Sequence, residues 1–473
     1  MKQDGSAPPP QTKSLKTDES WTACIRAGAA LLKDGKAEDA VAPLKEAVAL
    51  QPDTIRSLEY LGLALLRSKH HEEARQVFAR LLDLEPNHVE AHHGMGLALH
   101  GFKDIAGALA AFRQTTALSP GAWKTWSSIA DITPDEAERL HAIGMTADAL
   151  QDACTHAAAA PELHLYCAEA LIKAKRLEDA LAFIHGHFDS FKDASTAQSK
   201  LASAHYHSGA FKEAFHHKQD ALAALDPDTL PDAPLDNPFS PACATEALAF
   251  VGDILGEHGV PYFLVAGTAL GFYREGGPLP HDRDIDIGVI RDTDGSLDIA
   301  AIIREHPDLF LPHGARPGDR YFGLLHEGVG IDIFVHDIAC EHLLCGLSSN
   351  PGDIQWRFSR FGLTSSHHAG RRWACPDPIE RYLEESYGPG WREPDRGFAS
   401  VISSPALFET DLYARAFYSA ARALNHLKRG DRSKASALLR QSPIPVRPGV
   451  IRHLGLARDS AVIKPSPEGE KTP

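Results

Sequence analysis

The sequence predicts a multi-domain chain: an all-α repeat solenoid in the N-terminal half and an α+β domain in the C-terminal half. Three observations predict this. Glycine, alanine and proline recur at steps of 34 from Gly28 to Pro120. A proline-dense stretch, DPDTLPDAPLDNPFSP, interrupts the chain after that period stops. Beyond it, short runs of alternating branched apolar residues replace the helical pattern.

The period is carried by Pro52, Pro86 and Pro120, by Gly28, Gly62 and Gly96, and by Ala40, Ala74 and Ala108. Small residues let two helices cross closely, a large one such as Phe78 fills the gap, and proline ends each unit. Within the second unit the order Leu58, Leu61-Gly62, Leu65, Ala74, Phe78, Pro86 closely resembles the tetratricopeptide (TPR) pattern. The segment around 131–158 drifts out of phase. Ala168 and Ala202, then Ala180 and Ala214, restore the step, giving about six repeats over residues 19–225, one of them irregular. Such an array offers a concave surface to a protein partner. The pairs His92-His93 and His216-His217 do not suggest a metal, because neighbours on a helix point about 100° apart.

Composition narrows the function classes. The chain has 473 residues, 43% hydrophobic and 23% charged, with a formal charge of −15. A broad basic surface for nucleic acid is excluded. No apolar run approaches the ~18 residues of a transmembrane segment and the start has no apolar signal core, so a cytoplasmic location is expected. Seven scattered cysteines read as reduced thiols. Residues 1–18 and 441–473 read as disordered tails, 226–244 as a linker, and 401–440 as a helical hairpin that packs without chemistry of its own.

The chemistry is expected in residues 245–400. There a helical stretch leads to an apolar run ending Val265-Ala266, then Gly267-Thr268-Ala269-Leu270-Gly271, and later to HDRDIDIGVI and GVGIDIFVHD. Side chains alternate along a strand, so Asp284 and Asp286 project together, with Asp282 in phase, while Ile285 and Ile287 enter the core. Asp332, between Ile331 and Ile333, supplies a further carboxylate from a neighbouring strand. Clustered carboxylates are most simply held ionised by Mg²⁺ or Mn²⁺, which favour oxygen ligands. The Gly267-Thr268 turn at a helix start is suited to phosphate, with Arg274 able to clamp the same anion. Weaker candidates are Arg320-Tyr321-Phe322, His336-Asp337, and a zinc reading of Cys340, His342 and Cys345 that lacks a fourth ligand.

The segment FLVAGTALGFYREGGPLPHDRDIDIGVI resembles the signature of the fukutin and LicD family, a branch of the nucleotidyltransferase superfamily. Gly267-Thr268, Asp284-Ile285-Asp286 and Asp332 stand at the family's turn, paired-acid strand and third acid. The stretch CPDPIERYLEESYGPGWREPD resembles the closing motif, with Tyr387, Gly388, Trp391 and Pro394 in its places. Pro280-His281-Asp282-Arg283-Asp284 departs from the Pro-Trp-Asp-Asp-Asp of the phosphocholine branch. The resemblance implies a nucleotidyltransferase fold and transfer of phosphocholine or a polyol phosphate from a CDP-activated donor to a sugar hydroxyl of a glycan. Asp284 and Asp286 are then assigned to two metals, and Asp332 to the catalytic metal and the acceptor proton. Rival expectations are a TPR scaffold with a catalytically silent domain, and nucleotide transfer to a protein.

Overall fold

The computed structural model describes residues 11–155, 159–235, 239–280, 282–291, 297–306, 308–368, 370–395 and 397–456. Of the tails expected at 1–18 and 441–473, residues 1–10 and 457–473 lie outside the described residues. The chain forms two compact units: residues 1–159 with the short segments 304–307 and 312–314, and the remainder.

The first unit is a stack of helix pairs: α1 (Gln11–Lys33) with α2 (Ala37–Leu50), α3 (Ile55–Arg67) with α4 (His71–Leu84), α5 (Val89–Gly101) with α6 (Ile105–Leu118), and α7 (Trp123–Ile132) with α8 (Glu136–Cys154). The period-marking prolines stand two residues beyond the ends of α2, α4 and α6, where no helical N–H is needed. Gly62 shows why the pattern asks for a small residue. A Cβ there would stand 2.6 Å from the Phe78 ring, so the bare backbone of the first helix receives the large side chain of the second. Gly28 with Leu44 and Gly96 with Phe112 repeat the arrangement. The out-of-phase segment is the α7/α8 pair, of ten and nineteen residues.

Two more pairs open the second unit: α9 (Pro161–Lys173) with α10 (Leu177–Gly186), and α11 (Ala194–His207) with α12 (Phe211–Ala223). The expected domain break at 226–244 is therefore not where the compact units divide. The reason is a shared core: Tyr206, Phe211 and Phe215 belong to the same buried cluster as Ile333 and Phe417. The Tyr206 ring stacks on Phe417 at 4.4 Å, and its hydroxyl donates to the buried Asp353 carboxylate. The proline stretch lies against the C-terminal helices, where Leu235 N–H donates to Arg429 O at 2.9 Å. Tyr206→Phe should lower the stability of this unit by about 1–3 kcal/mol, since a buried carboxylate loses a donor. A reduced urea midpoint with unchanged slope is the expected reading.

Then follow α13 (Pro241–Glu257), β1 (Tyr262–Leu264), α14 (Ala266–Glu275), β2 (Asp284–Ile290), α15 (Ile299–Arg304), β3 (Tyr321–His326), β4 (Val329–Ala339), β5 (His342–Gly346) and β6 (Gln355–Ser359). After them come β7 (Gly362–His368), β8 (Arg371–Asp377), α16 (Ile379–Tyr387), α17 (Ser400–Ser403), α18 (Leu412–Lys428), α19 (Arg432–Arg440) and α20 (Pro448–His453). One sheet runs β1-β2-β4-β5-β6 with β3 on β4, and β7 pairs with β8 separately. β2 and β4 are parallel, while β1 lies antiparallel to β2 and β3 antiparallel to β4. The mixed sheet with its flanking helices is the expected α+β domain.

Two expectations about the tails are corrected. α1 is helical from Gln11. Residues 441–456 are packed rather than disordered: Val446, Val450 and Leu454 are buried at four-residue steps, and Arg447 pairs with Asp220 at 2.5 Å. Among the described residues, no helix is long and apolar enough to cross a membrane.

Candidate active site

The parallel register sets Asp286 of β2 beside Asp332 of β4, and Asp284 beside Gly330. Side chains aligned this way on adjacent strands share a face, so the carboxylates gather on one side of the sheet. Ile285, Ile287, Ile331 and Ile333 are fully buried on the other. The alternation read in the sequence is thus the device that both roots the strands and presents the acids.

The turn ahead of α14 fixes Asp286. Gly267 N–H donates to Asp286 Oδ2 at 2.9 Å, and Asp286 N–H donates to the buried Thr268 hydroxyl at 2.7 Å. A Cβ at Gly267 would come within 3.2 Å of both Asp282 Oδ2 and Asp286 Oδ2, so glycine permits the approach. Just before it, Ala266 takes a φ of 43° and its N–H donates to Tyr382 Oη at 2.9 Å. A non-glycine residue persists there only because its surroundings hold it. The anion expected on this helix start is, in the structure, the protein's own Asp286 carboxylate.

Asp332 is fixed in a comparable way, its Oδ1 accepting from Tyr321 Oη at 2.8 Å across the β3–β4 pair. Tyr321 is therefore a site residue through Asp332. Its neighbour Arg320 instead pairs with Asp337 at 3.0 Å, as does Arg291 at 2.6 Å. Tyr321→Phe should weaken metal affinity or turnover about 10- to 100-fold, the usual effect of losing a partner that orients a ligand. Mn²⁺ titration of the purified variant checks this.

Burial and mutual repulsion dominate the electrostatics. Burial pushes Asp282 up to about 7, helped by Asp284 and Glu275. Asp332 also rises to about 7 through burial and Asp284, against the bond from Tyr321 and the charge of Arg422. Asp286 is raised well above the usual carboxylate range, by burial and then by Asp284, Asp332 and Asp282. Asp284 is raised by burial, with Arg422 and Arg283 opposing. For Asp284 and Asp332, burial, with repulsion added at Asp332, outweighs the opposing charge of the arginines.

This donor set fits divalent cations. Gly267 and Tyr321 engage one oxygen each of Asp286 and Asp332, which orients the other oxygen of each as a ligand. The three aspartates do not converge as a closed cage. Among the described residues, the group whose ligand atoms all lie within 4.8 Å of one another is Glu59, His88 and Glu90 in the repeats. There His88 Nδ1 accepts from Ala91 N–H at 3.2 Å and Nε2 meets Glu59 at 3.1 Å, which is a helix cap. An open set of carboxylates suits Mg²⁺, which takes one or two protein carboxylates and completes its shell with water and phosphate oxygens.

Other candidates fall elsewhere. Arg274 sits in the last turn of α14, about 10 Å along the axis from Gly267. It is not among the charges acting on the four aspartates; that place is taken by Arg422 of α18, which the sequence reading passed over. His336 is buried, pushed down to about 4 by burial, and its Nδ1 faces Phe334 O at 3.0 Å. It lines a cavity of about 40 Å³ with Val265, Tyr382 and Tyr387. Cys345 is buried and Cys340 exposed, so the zinc reading gains no convergent set. Of the closing motif, Tyr387 is half-buried, and the aspartates add to burial in raising its pKa. Gly388 takes a φ of 86° to end α16, and Trp391 packs on Tyr273 at 5.2 Å.

Comparison with known proteins finds similarity over parts of the chain. Residues 259–310 match the family described as LicD/FKTN/FKRP, nucleotidyltransferase domain, and residues 25–87 and 61–122 match tetratricopeptide repeats. The ribitol-5-phosphate transferase FKTN of Mus musculus is 30% identical over 34% of this chain and 36% of its own length. The Homo sapiens protein of the same name is 26% identical over 32% of this chain and 33% of its own length. The match thus spans about a third of these relatives. A solved structure described as the functional characterization of Pseudomonas aeruginosa pilF has a TM-score of 0.33 at 14% identity, covering 43% of this chain and 91% of that one.

Proposed function

We propose, from the premise that residues 259–310 form a LicD/fukutin-type domain, that this chain moves a phospho-alcohol from a CDP-activated donor to a sugar hydroxyl of a glycan. Phosphocholine and polyol phosphates such as ribitol phosphate are the candidate groups. The supporting observation is the half-buried quartet Asp282, Asp284, Asp286 and Asp332, drawn together by the parallel β2–β4 register behind the Gly267-Thr268 turn.

Asp284, Asp286 and Asp332 would hold Mg²⁺ or Mn²⁺. When bound, these cations neutralise the donor's diphosphate and the charge that develops on the transferring group. Gly267 and Thr268 lock Asp286, and Tyr321 locks Asp332, so ligand positions are set before substrate arrives. Asp332, besides holding the catalytic cation, is the carboxylate assigned to accept the proton of the attacking sugar hydroxyl. The hydroxyl oxygen forms the new bond to phosphorus as the bond to CMP breaks, and CMP leaves with those electrons. The repeats dock a protein partner that presents or carries the acceptor.

Mass spectrometry of acceptors incubated with the protein, Mg²⁺ and CDP-choline, CDP-ribitol or CDP-glycerol tests this. A glycan gaining one phospho-alcohol supports it. A nucleotide mass gained by a protein captured on the repeats would replace it with nucleotide transfer, and no transfer of either kind would leave the repeats as the working part.

A further inference from the structure

Ala266 stands between two residues that grip Asp286. On one side Val265 N–H donates to Asp286 O at 3.4 Å, and on the other Gly267 N–H donates to Asp286 Oδ2 at 2.9 Å. The torsion at Ala266 therefore decides whether both contacts are made at once. Its φ of 43° lies in the left-handed region, which the Cβ of an L residue disfavours and where glycine is the usual choice. An alanine keeps that torsion only if something outside the turn holds it there.

The holding contact comes from more than a hundred residues later in the chain, where Tyr382 Oη accepts from Ala266 N–H at 2.9 Å. Tyr382 is buried, and its ring packs on Phe358 at 5.0 Å and on Phe361 at 5.6 Å. The helix that carries it, α16, is tied down at three further points. Arg381 donates to Arg360 O at 2.8 Å, Glu385 Oε2 accepts from Ser359 N–H at 3.0 Å, and Glu380 Oε1 accepts from the Tyr273 hydroxyl of α14 at 2.7 Å. A ring so enclosed on a helix so anchored presents its oxygen at one place, and that place is the Ala266 N–H.

We propose that Tyr382 is a positioning residue for the carboxylate site: its hydroxyl locks Ala266 at positive φ, which aims Gly267 N–H at one oxygen of Asp286 and leaves the other for a cation. α16 is thereby a brace that acts through the turn and not on the substrate. The cation rests on the transferase reading; the lock on Ala266 does not. Without the hydroxyl, Ala266 N–H loses its acceptor and the alanine relaxes toward negative φ, which turns Gly267 N–H away from Asp286.

Hydrogen–deuterium exchange of the Gly267 amide in the metal-free full chain, beside calorimetric titration with Mn²⁺, tests it. Tyr382→Phe should speed that exchange about tenfold and raise the Mn²⁺ dissociation constant about tenfold, the low end of what losing a ligand-orienting partner does. Adding Ala266→Gly to Tyr382→Phe should restore Gly267 protection and most of the Mn²⁺ affinity, because glycine takes the positive φ unaided. A residue that only stabilised the fold would show no such rescue. Tyr206→Phe, which removes another buried hydroxyl from the same unit, should lower stability yet leave both readings at wild type. Circular dichroism shows whether each variant is folded. If Tyr382→Phe is not, Ala266→Val carries the test: it keeps the hydroxyl, cannot keep the torsion, and should move both readings the same way. Unchanged exchange in a folded Tyr382→Phe, equal effects in Tyr206→Phe, or no rescue by Ala266→Gly would each overturn the proposal. If Gly267 exchange follows Tyr382 and is rescued by glycine but wild type binds no Mn²⁺, this inference stands and the cation-dependent transferase reading fails.

Discussion

Asp286→Asn is expected to cut transfer by on the order of 1000-fold while raising the thermal midpoint of the metal-free protein. The two effects have one cause. Asp286 receives the repulsion of Asp284, Asp332 and Asp282 on top of its burial, which makes its ionised form costly. Asparagine keeps the shape, and its oxygen still accepts from Gly267 N–H, so the turn should survive while one negative charge leaves the cluster. The same charge is what a divalent cation needs. Asp284→Asn should share the direction with a smaller gain in stability, because Arg422 and Arg283 already oppose the charge on Asp284. Differential scanning calorimetry beside a rate assay reads both quantities, and a lower midpoint in Asp286→Asn would contradict the electrostatic account.

The second large effect couples pH to metal. Asp282 and Asp332 sit near 7 in the folded protein, against about 4 in an unfolded chain. The folded state keeps protons that the unfolded state has released. The stability these groups contribute is therefore fully present below about pH 4 and is lost as pH rises toward 7. Metal-free protein should melt several degrees lower at pH 8 than at pH 5 through these two acids. Mn²⁺ at about 100 times its dissociation constant should add back about 2.7 kcal/mol at pH 8. Protons compete for the same oxygens, so metal affinity should fall as pH drops through 7. Buried His336, held neutral near 4, acts in the opposite sense at low pH. Comparing wild type with Asp332→Asn isolates the carboxylate contribution: the variant's curve should be flatter above pH 4, and an identical slope would refute the assignment.

Much of this was legible in the sequence because it rests on short-range rules. The 34-residue step survives because every helix pair needs a small residue where Phe78 or its equivalent enters, and that demand leaves glycine at a fixed place. The aspartates were legible because a two-residue alternation is readable wherever isoleucine marks the buried face. What escaped depends on contacts between distant segments. Residues 401–440 read as a hairpin without chemistry, and nothing local tells that Arg422 would oppose the charge on Asp284, more than a hundred residues earlier. Arg274 was chosen for closeness in sequence, and two helical turns carried it away. The domain break was placed at the prolines because composition changes there, whereas Tyr206 and Phe215 bind the last helix pairs into the core of the second unit. The Gly267-Thr268 turn stands at the start of α14, where Gly267 N–H donates to Asp286 Oδ2 and the Thr268 hydroxyl accepts from Asp286 N–H, contacts only the geometry reveals.

The central claim is that Asp284, Asp286 and Asp332 form a cation-dependent phosphate-transfer site. Release of CMP from CDP-ribitol, CDP-glycerol and CDP-choline by metal-stripped protein, before and after Mg²⁺ or Mn²⁺ is restored, tests it most directly. The expected result is release with at least one donor that appears only with metal and is lost in Asp284→Ala and Asp286→Asn. Release that is indifferent to metal, or that persists in both variants, would contradict it.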